Sequence, residues 1–413
     1  MKILLVCHYF APEIGAPQAR LSETAKVWAA HGHEVQVLTG MPNHPTGVVH
    51  EGYRNRRFLR EYRDGYDIVR TWLYATPNSG FVRKTIGHLS FMVTGLVLGG
   101  PRLTKPDVVV VSSPTFFSIF TAWALAKLWR VPLVLEVRDL WPGIFVELGV
   151  LTNRRVIWLL ERLELAAYRS AATVVVVTEG FKQDLISRGI PTAKIAVITN
   201  GVDLDAFSHG TPTTEVRNRL GADGDDVLVL YIGAHGISHG LSAVLDAAKQ
   251  LNAGVKLAFV GEGAEKAALM KKAETEAIEN VTFLDGVPRA EVLGMLRSAD
   301  ILLVPLRDVA LFETFIPSKM FEYMACGQAI VGSVAGESKE ILERAGAPVV
   351  PPEDADALAS ALKDLATDPE LRHKLGESAR QFVEEFYDRE TLAVRYLGEL
   401  ADSVGLHAAE GRR

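Results

Sequence analysis

The sequence predicts an α/β chain of two domains in tandem, each a parallel sheet with helices on both faces. Short β-branched runs bounded by Gly, Pro and Asp recur along the chain, as strands buried on both faces require. Stretches of helical length and spacing, such as 20–32 and 155–170, separate most of them, and a strand-helix-strand rhythm implies crossover connections and parallel pairing. The series also runs twice, with a turn-rich and polar break over residues 200–226.

The first series opens with KILLVC from Lys2. Pro12 and Glu13 follow too soon for a secretory leader, so the run reads as a buried strand. EVQVLT, DIVRTW, DVVVVS, PLVLEV, TVVVVT and KIAVIT continue it, and 200-NGVDLDAF-207 closes it. The second series holds DVLVLYIG, VKLAFVG, VTFLDG, DILLVPL and AIVGS. The expected domains are 1–203 and 204–387, with a helix over 388–405 packing back on the first and a loose tail at 406–413. Within 81–103 the longest uncharged run, 85–100, is too short to span a bilayer. It reads either as a core helix or as an interfacial helix resting on a membrane.

With 413 residues, 48% of them hydrophobic, the chain has room for two full cores. A net charge of -6 argues against a general nucleic-acid binder. Basic residues nevertheless gather in 54-RNRRFLREYR-63 and continue with Arg70, Arg83 and Lys84, as a solvated face or as a surface for anionic lipid or a pyrophosphate. Cys7 and Cys326 offer neither a disulfide framework nor a metal-ligand cluster, which suits a reducing cytosolic setting. No glycine-rich dinucleotide fingerprint with its acidic partner and no Gly-Lys-Ser/Thr loop occurs, so a nicotinamide oxidoreductase and a P-loop NTPase lose their main support. Asp203 and Asp205 have the form of a metal-nucleotide motif, but the turn-rich break favours a turn role.

The chemistry centres on 315-FIPSKMFEYMACGQAIV-331. Pro317 is suited to a first helical turn, and Gly327 lies near the end of the expected helix. Ser318, Lys319 and the free N–H groups at its mouth then face the end of the sheet, where a diphosphate would find a helix dipole and a cation. Glu322 lies about 5 Å deeper along the axis and can accept two hydrogen bonds from the vicinal hydroxyls of a ribose. The competing reading makes Glu322 a dipole-compensating acid and Lys319 its solvated neighbour. Gly15 in the first strand-to-helix loop, and Gly233, Gly236 and Gly240 in the loop opening the second series, allow close approach of backbone to a phosphate. Arg138, at the end of PLVLEV, offers a planar fork to a leaving phosphate, with Asp139 to orient it or to meet an acceptor hydroxyl. The alternative for this pair is a buried salt bridge.

These residues together resemble the GT-B retaining glycosyltransferases of glycosyltransferase family 4. The resemblance rests on 32-GHEVQVLT-39, 200-NGVD-203, 228-LVLYIGAHG-236, 259-FVGEG-263, 283-FLDGVP-288 and 322-EYMACG-327. Within the family, 138-RDLWP-142 and 317-PSK-319 look closest to the bacterial O-antigen and capsule branch that includes N-acetylfucosamine transferases. The resemblance implies two Rossmann-like doubly wound domains facing a central cleft and transfer of a sugar from a nucleotide diphosphate, expected to be UDP-linked. It further implies an acceptor that is a glycan, a lipid-linked sugar or a small molecule, no metal or other cofactor, and a cytoplasmic enzyme with at most peripheral membrane contact. It places the base against Gly286 and Val287, with His235 and Gly236 also on the donor side.

Three positions depart from the family. Its first glutamate matches Thr314, its basic pair matches Ala234 and His239, and its histidine in the first domain matches Arg138. Lys319 is expected to replace the missing charge. The rivals are a transferase of secondary metabolism, a nucleotide-sugar 2-epimerase using His8, His235 or His239, and a non-catalytic nucleotide-sugar sensor.

Overall fold

The computed structural model describes residues 1–13, 15–44, 46–77, 81–113, 116–140, 142–143, 146, 151–207 and 213–410. Ile14 of the first loop, Trp141 of the 138–142 run, part of the polar break and residues 411–413 of the expected tail lie outside them. The chain divides into two units, residues 1–199 with 389–413, and residues 200–388.

The first unit carries eight strands: β1 (Lys2–Val6), β2 (Glu34–Gly40), β3 (Phe58–Arg63), β4 (Tyr66–Thr71), β5 (Val108–Ser112), β6 (Leu133–Val137), β7 (Thr173–Val176) and β8 (Ile195–Val197). Their order is β3-β4-β2-β1-β5-β6-β7-β8. The β1, β5 and β6 strands are buried almost throughout, which is why they read as unbroken apolar runs. One edge differs from the expected all-parallel sheet: β3 pairs antiparallel with β4. It falls within the basic run 54–63, and its mostly exposed charged side chains mask it in the sequence.

The basic cluster is also less uniform than it reads. Arg70 is 1% exposed, its Nε donates to Glu61 Oε2 at 2.5 Å, and its Nη2 donates to the Ala11 carbonyl. It pins the loop after β1 to the sheet edge and so does not belong to a surface for anions.

Residues 81–103 form a helix, Phe81–Thr94, followed by a π turn over Gly95–Gly99 and a short 3-10 turn to Arg102. Phe91 is fully buried on one side, whereas Ile86, Leu89, Val93 and Val97 form an exposed stripe on the other. The segment is thus both a core helix and a half-exposed one. Among the described residues no helix is long and apolar enough to cross a membrane.

The last helix, Arg389–Glu410, packs on the helix Ala16–Ala30, where Trp28 Nε1 donates to the Ala393 carbonyl at 3.0 Å. Leu392, Tyr396, Leu397 and Leu400 join the core formed by Ile3, Val35 and Val110. Because this helix continues to Glu410, residues 406–410 are helical rather than a loose tail.

The second unit holds β9 (Val227–Ile232), β10 (Val255–Val260), β11 (Val281–Leu284), β12 (Ile301–Pro305), β13 (Ala329–Ser333) and β14 (Val349–Val350). Their order is β11-β10-β9-β12-β13-β14, parallel throughout. The chain steps outward from β9 in one direction to β10 and β11 and in the other to β12 and beyond. Such a reversal leaves a crevice beyond the carboxyl end of the central strand.

Candidate functional site

At the carboxyl end of β9 the backbone enters Gly233 at φ +148°, and Gly261 after β10 has φ +147°. A Cβ on Gly261 would collide with the Gly233 carbonyl, so the two loops touch backbone to backbone. His235 N–H donates to the Glu262 carbonyl at 2.8 Å and closes the clasp. Gly236 has open space where a side chain would stand. Gly240, left-handed at φ +57°, starts the helix Leu241–Ala248.

The helix Ser318–Cys326 begins one residue later than its sequence suggests, with Pro317 as the residue before the first turn, and it ends on Gly327 at φ +72°. Tyr323 fixes its position: the hydroxyl donates to the Ile232 carbonyl at 3.1 Å and accepts from the Ile232 N–H at 3.2 Å. Lys319, four residues earlier, shares that face of the helix. Its Nζ lies 4.0 Å from the Tyr231 ring centroid, and a Cβ on Gly233 would come within 2.6 Å of it. That ammonium is buried without a hydrogen-bond partner. Burial draws it down to about 7, opposed only in part by Glu322. Lys319 is therefore not a solvated neighbour of Glu322.

Glu322 has a different partner. Its carboxylate meets Arg289 Nη2 at 2.8 Å, with the arginine side chain 48% and the glutamate side chain 18% exposed. The same guanidinium lies 5.4 Å from the Phe207 ring centroid. Gly286 and Val287 stand just before Arg289 in the chain, and Gly286 N–H donates to Glu262 Oε1 at 3.4 Å. Lys266 holds Glu262 and Asp285 at 2.9 and 2.6 Å, and Phe283 stacks on Phe259 at 5.1 Å, so the base of this loop is anchored from both sides. Ser318 is half-buried at the helix mouth.

Two of the three departures, at Thr314 and at Ala234 with His239, leave the site short of charge. Ala234 offers only its carbonyl, which accepts the Tyr231 hydroxyl at 2.6 Å. Burial, and then Lys319, draw His239 down to about 3, so it is neutral at any working pH. His235 is buried with both ring nitrogens unpartnered, and burial lowers it too. Thr314 Oγ1 donates to the Leu311 carbonyl at 2.9 Å.

In the first unit, Gly15 precedes the helix Ala16–Ala30 in an extended conformation, and a Cβ there would strike the Gln18 amide. Arg138 follows β6, its N–H donating to Ser113 Oγ at 3.2 Å, with Nε and Nη1 buried and without partners. Burial lowers Arg138, while Glu136 and Asp139 push it back up. Burial raises Asp139 and Arg138 opposes that rise. Glu136 is instead paired with Arg20, at 2.9 Å; burial alone would raise it, but Arg20 and Arg138 hold it below the usual carboxylate range. The buried salt bridge considered for Arg138 and Asp139 is thus made one residue pair away, by Glu136 and Arg20.

Tyr231, Tyr323 and Arg289 escaped the sequence reading. Tyr231 and Tyr323 look like ordinary apolar positions of a strand and a helix, and only an aromatic at the very end of DVLVLYIG hinted at more. Arg289 pairs with a residue 33 positions away, which no local spacing reveals. His8 packs against His88, ring centroids 4.3 Å apart, in the first unit. Asp203 caps a turn by accepting Ala206 N–H at 3.2 Å.

Two family models match the chain: the glycosyl transferase 4-like domain over residues 15–201 and the glycosyl transferases group 1 over residues 212–382. The chain is 26% identical to the putative colanic acid biosynthesis glycosyl transferase WcaI of Escherichia coli K12, over 97% of this chain and 100% of that protein. It is 24% identical to the O-antigen chain mannosyltransferase C of Escherichia coli over 42% of this chain and 46% of the relative. Among solved structures, sucrose-phosphate synthase from Thermosynechococcus elongatus superposes with a TM-score of 0.73 at 21% identity, covering 99% of this chain and 100% of its own. Anabaena Alr3699/HepE, solved in complex with UDP and glucose, gives 0.72 at 19% identity over 97% and 100%.

Proposed function

The chain belongs to the GT-B glycosyltransferases of family 4, and from that membership we propose that it builds cell-surface polysaccharide by moving a sugar from a nucleotide diphosphate to a hydroxyl of a glycan or lipid-linked acceptor. The donor is UDP-linked, and its sugar is an N-acetylated hexosamine or deoxyhexosamine. Transfer retains the anomeric configuration. The names of the relatives support the polysaccharide setting, one a putative colanic acid biosynthesis glycosyl transferase and another an O-antigen chain mannosyltransferase.

The observation that carries this reading is the buried, unpartnered ammonium of Lys319 at a helix mouth beyond β9. A cation so placed is costly until an anion meets it. A diphosphate over Gly233 and Ser318 supplies that anion, and the ammonium then stabilises charge as the diphosphate leaves. Lys319 and the helix N-terminus take the electrostatic role that a metal has in other transferases. The base lies on Gly286 and Val287, and the ribose hydroxyls take Glu322 in exchange for Arg289, whose side chain is exposed enough to swing away. The acceptor hydroxyl attacks from the face the diphosphate leaves, as put forward for similar retaining enzymes. Arg138, with two buried nitrogens unpaired, is read as a second anion contact, and Asp139 as its orienting group. The exposed stripe from Ile86 to Val97, with Arg83 and Lys84 at one end and Arg102 at the other, supports peripheral contact with the cytoplasmic membrane face.

The test is calorimetric titration of the wild type and Lys319→Ala with UDP, GDP and ADP without added metal. One nucleotide is expected to bind the wild type, and the variant to lose about 1.5 kcal/mol or more, as for a hydrogen bond to a charged group. Equal binding by both proteins would place the diphosphate elsewhere.

A further inference from the structure

In the first unit a cavity of about 420 Å³ opens beyond the carboxyl ends of β2 and β4, between the turn at 47–56 and the strand extension at 72–77. Two aromatic side chains on its wall are far from buried, Trp72 at 45% and Tyr74 at 39% exposure, while Leu73 between them is turned into the core. Tyr53 adds a third ring, held by its hydroxyl on Glu61 Oε1 at 2.9 Å and backed by the Arg70 guanidinium 5.3 Å away. Arg54 and Arg56 complete the rim, and no carboxylate stands among the described lining residues. Arg54 Nε donates to the Val49 carbonyl at 3.1 Å.

The frame is built close. Gly47 has φ +73°, and a Cβ there would run into the Thr76 carbonyl. On the other side the Tyr74 N–H donates to Ser90 Oγ at 2.7 Å and the Thr94 hydroxyl donates to the Trp72 carbonyl at 2.5 Å. The rings are therefore displayed by backbone contacts rather than left exposed by a loose loop.

We propose that this pocket binds a saccharide that carries an anionic group. Aromatic rings offer flat apolar faces with a polar edge, which suit the C–H face of a sugar ring. Arginine forks recognise a carboxylate or a phosphate with two parallel hydrogen bonds. Rings and arginines together in a concave site with no carboxylate among its described lining residues select a sugar that is both flat and negatively charged, whereas a bilayer would need a convex apolar face. The proposal rests on the transferase reading only for its role, since it names the acceptor as an anionic glycan; binding itself is independent of Lys319.

Saturation-transfer NMR with glucuronic acid, glucose 1-phosphate and methyl glucoside tests it on the full chain, with UDP titrated in parallel. The two charged sugars are expected to bind the wild type at least about tenfold better than the neutral one, the size of one charge-assisted contact, and their relative strength tells carboxylate from phosphate. Trp72→Ala should abolish binding of both, and Arg56→Gln, at an exposed position that folding does not need, should remove the preference for charge. UDP binding should stay unchanged in both variants. Equal or absent binding of charged and neutral sugars by the wild type overturns the proposal. So does an absence of sugar binding combined with loss, in Trp72→Ala, of sedimentation with phosphatidylglycerol vesicles, which would make the face a membrane contact. Failure of UDP to bind while the charged sugars do would instead overturn the UDP-linked donor and leave this site standing.

Discussion

Lys319 sits where one proton decides how the site behaves. An unfolded lysine titrates near 10.4, and burial brings this one down to about 7. Between those values the folded chain holds fewer protons than the unfolded chain, so stability rises with pH across that window; below 7 the cost of a buried charge is present in full. Urea titrations of the wild type from pH 7 to 10 should show this rise, and Lys319→Met should lack it. The groups facing the ammonium are Glu322 from its own helix, Tyr231, and the neutral His235 and His239, so Glu322 alone opposes the shift. A diphosphate reverses the balance by favouring the charged form, and binding above pH 7 then takes up a proton. Nucleotide affinity should weaken by up to about tenfold per pH unit above 7, and calorimetry in buffers of different ionisation enthalpy should show the uptake. Lys319→Arg, charged throughout, should flatten the profile; an unchanged slope would mean another group titrates.

The helix Ser318–Cys326 is useful only because it is held against the end of β9, and Tyr323 holds it. Tyr323→Phe keeps the ring but strips Ile232 of both these partners, and leaving half-buried backbone groups unpaired should cost about 1 kcal/mol or more in urea unfolding. Nucleotide binding should weaken with it, since Lys319 lies one turn away; a variant as stable as the wild type would show that packing alone seats the helix. This element is legible in the sequence because Pro317 and Gly327 bracket it. The parallel strands are legible too, because burial on both faces leaves them apolar from end to end. The β3 strand is not: an edge with charged side chains and few buried ones has the pattern of a solvated loop. Nor is the β14 strand, two residues long. Arg70 reads as one more surface cation, yet its partners Glu61 and Ala11 are nine and 59 positions away. Ion pairs such as Arg289 with Glu322 stay hidden for the same reason: local spacing encodes which face a residue shares, not what the fold brings against that face.

At the scale of the whole chain, the first unit is finished last. Its sheet ends at β8, but its core also needs Leu392, Tyr396, Leu397 and Leu400, which follow the entire second unit in sequence. Arg389 enters this core edge and pairs with Glu23. The second core, around Val229, Leu245 and Leu303, is built wholly from residues of the second unit. The two cores should therefore respond separately to damage. Leu400→Ala, at a fully buried position, should destabilise by about 2–5 kcal/mol, and hydrogen exchange followed by mass spectrometry should show faster opening in β1, β2, β5 and β6 while β9, β10 and β12 keep their protection. The contacts made by Leu400 close a loop as long as the second unit, so they form late, and the loss should appear mainly as faster unfolding. Uniform loss of protection across both sheets would show that the units unfold as one cooperative body, and that the C-terminal helix supports the donor site as well as the core it completes.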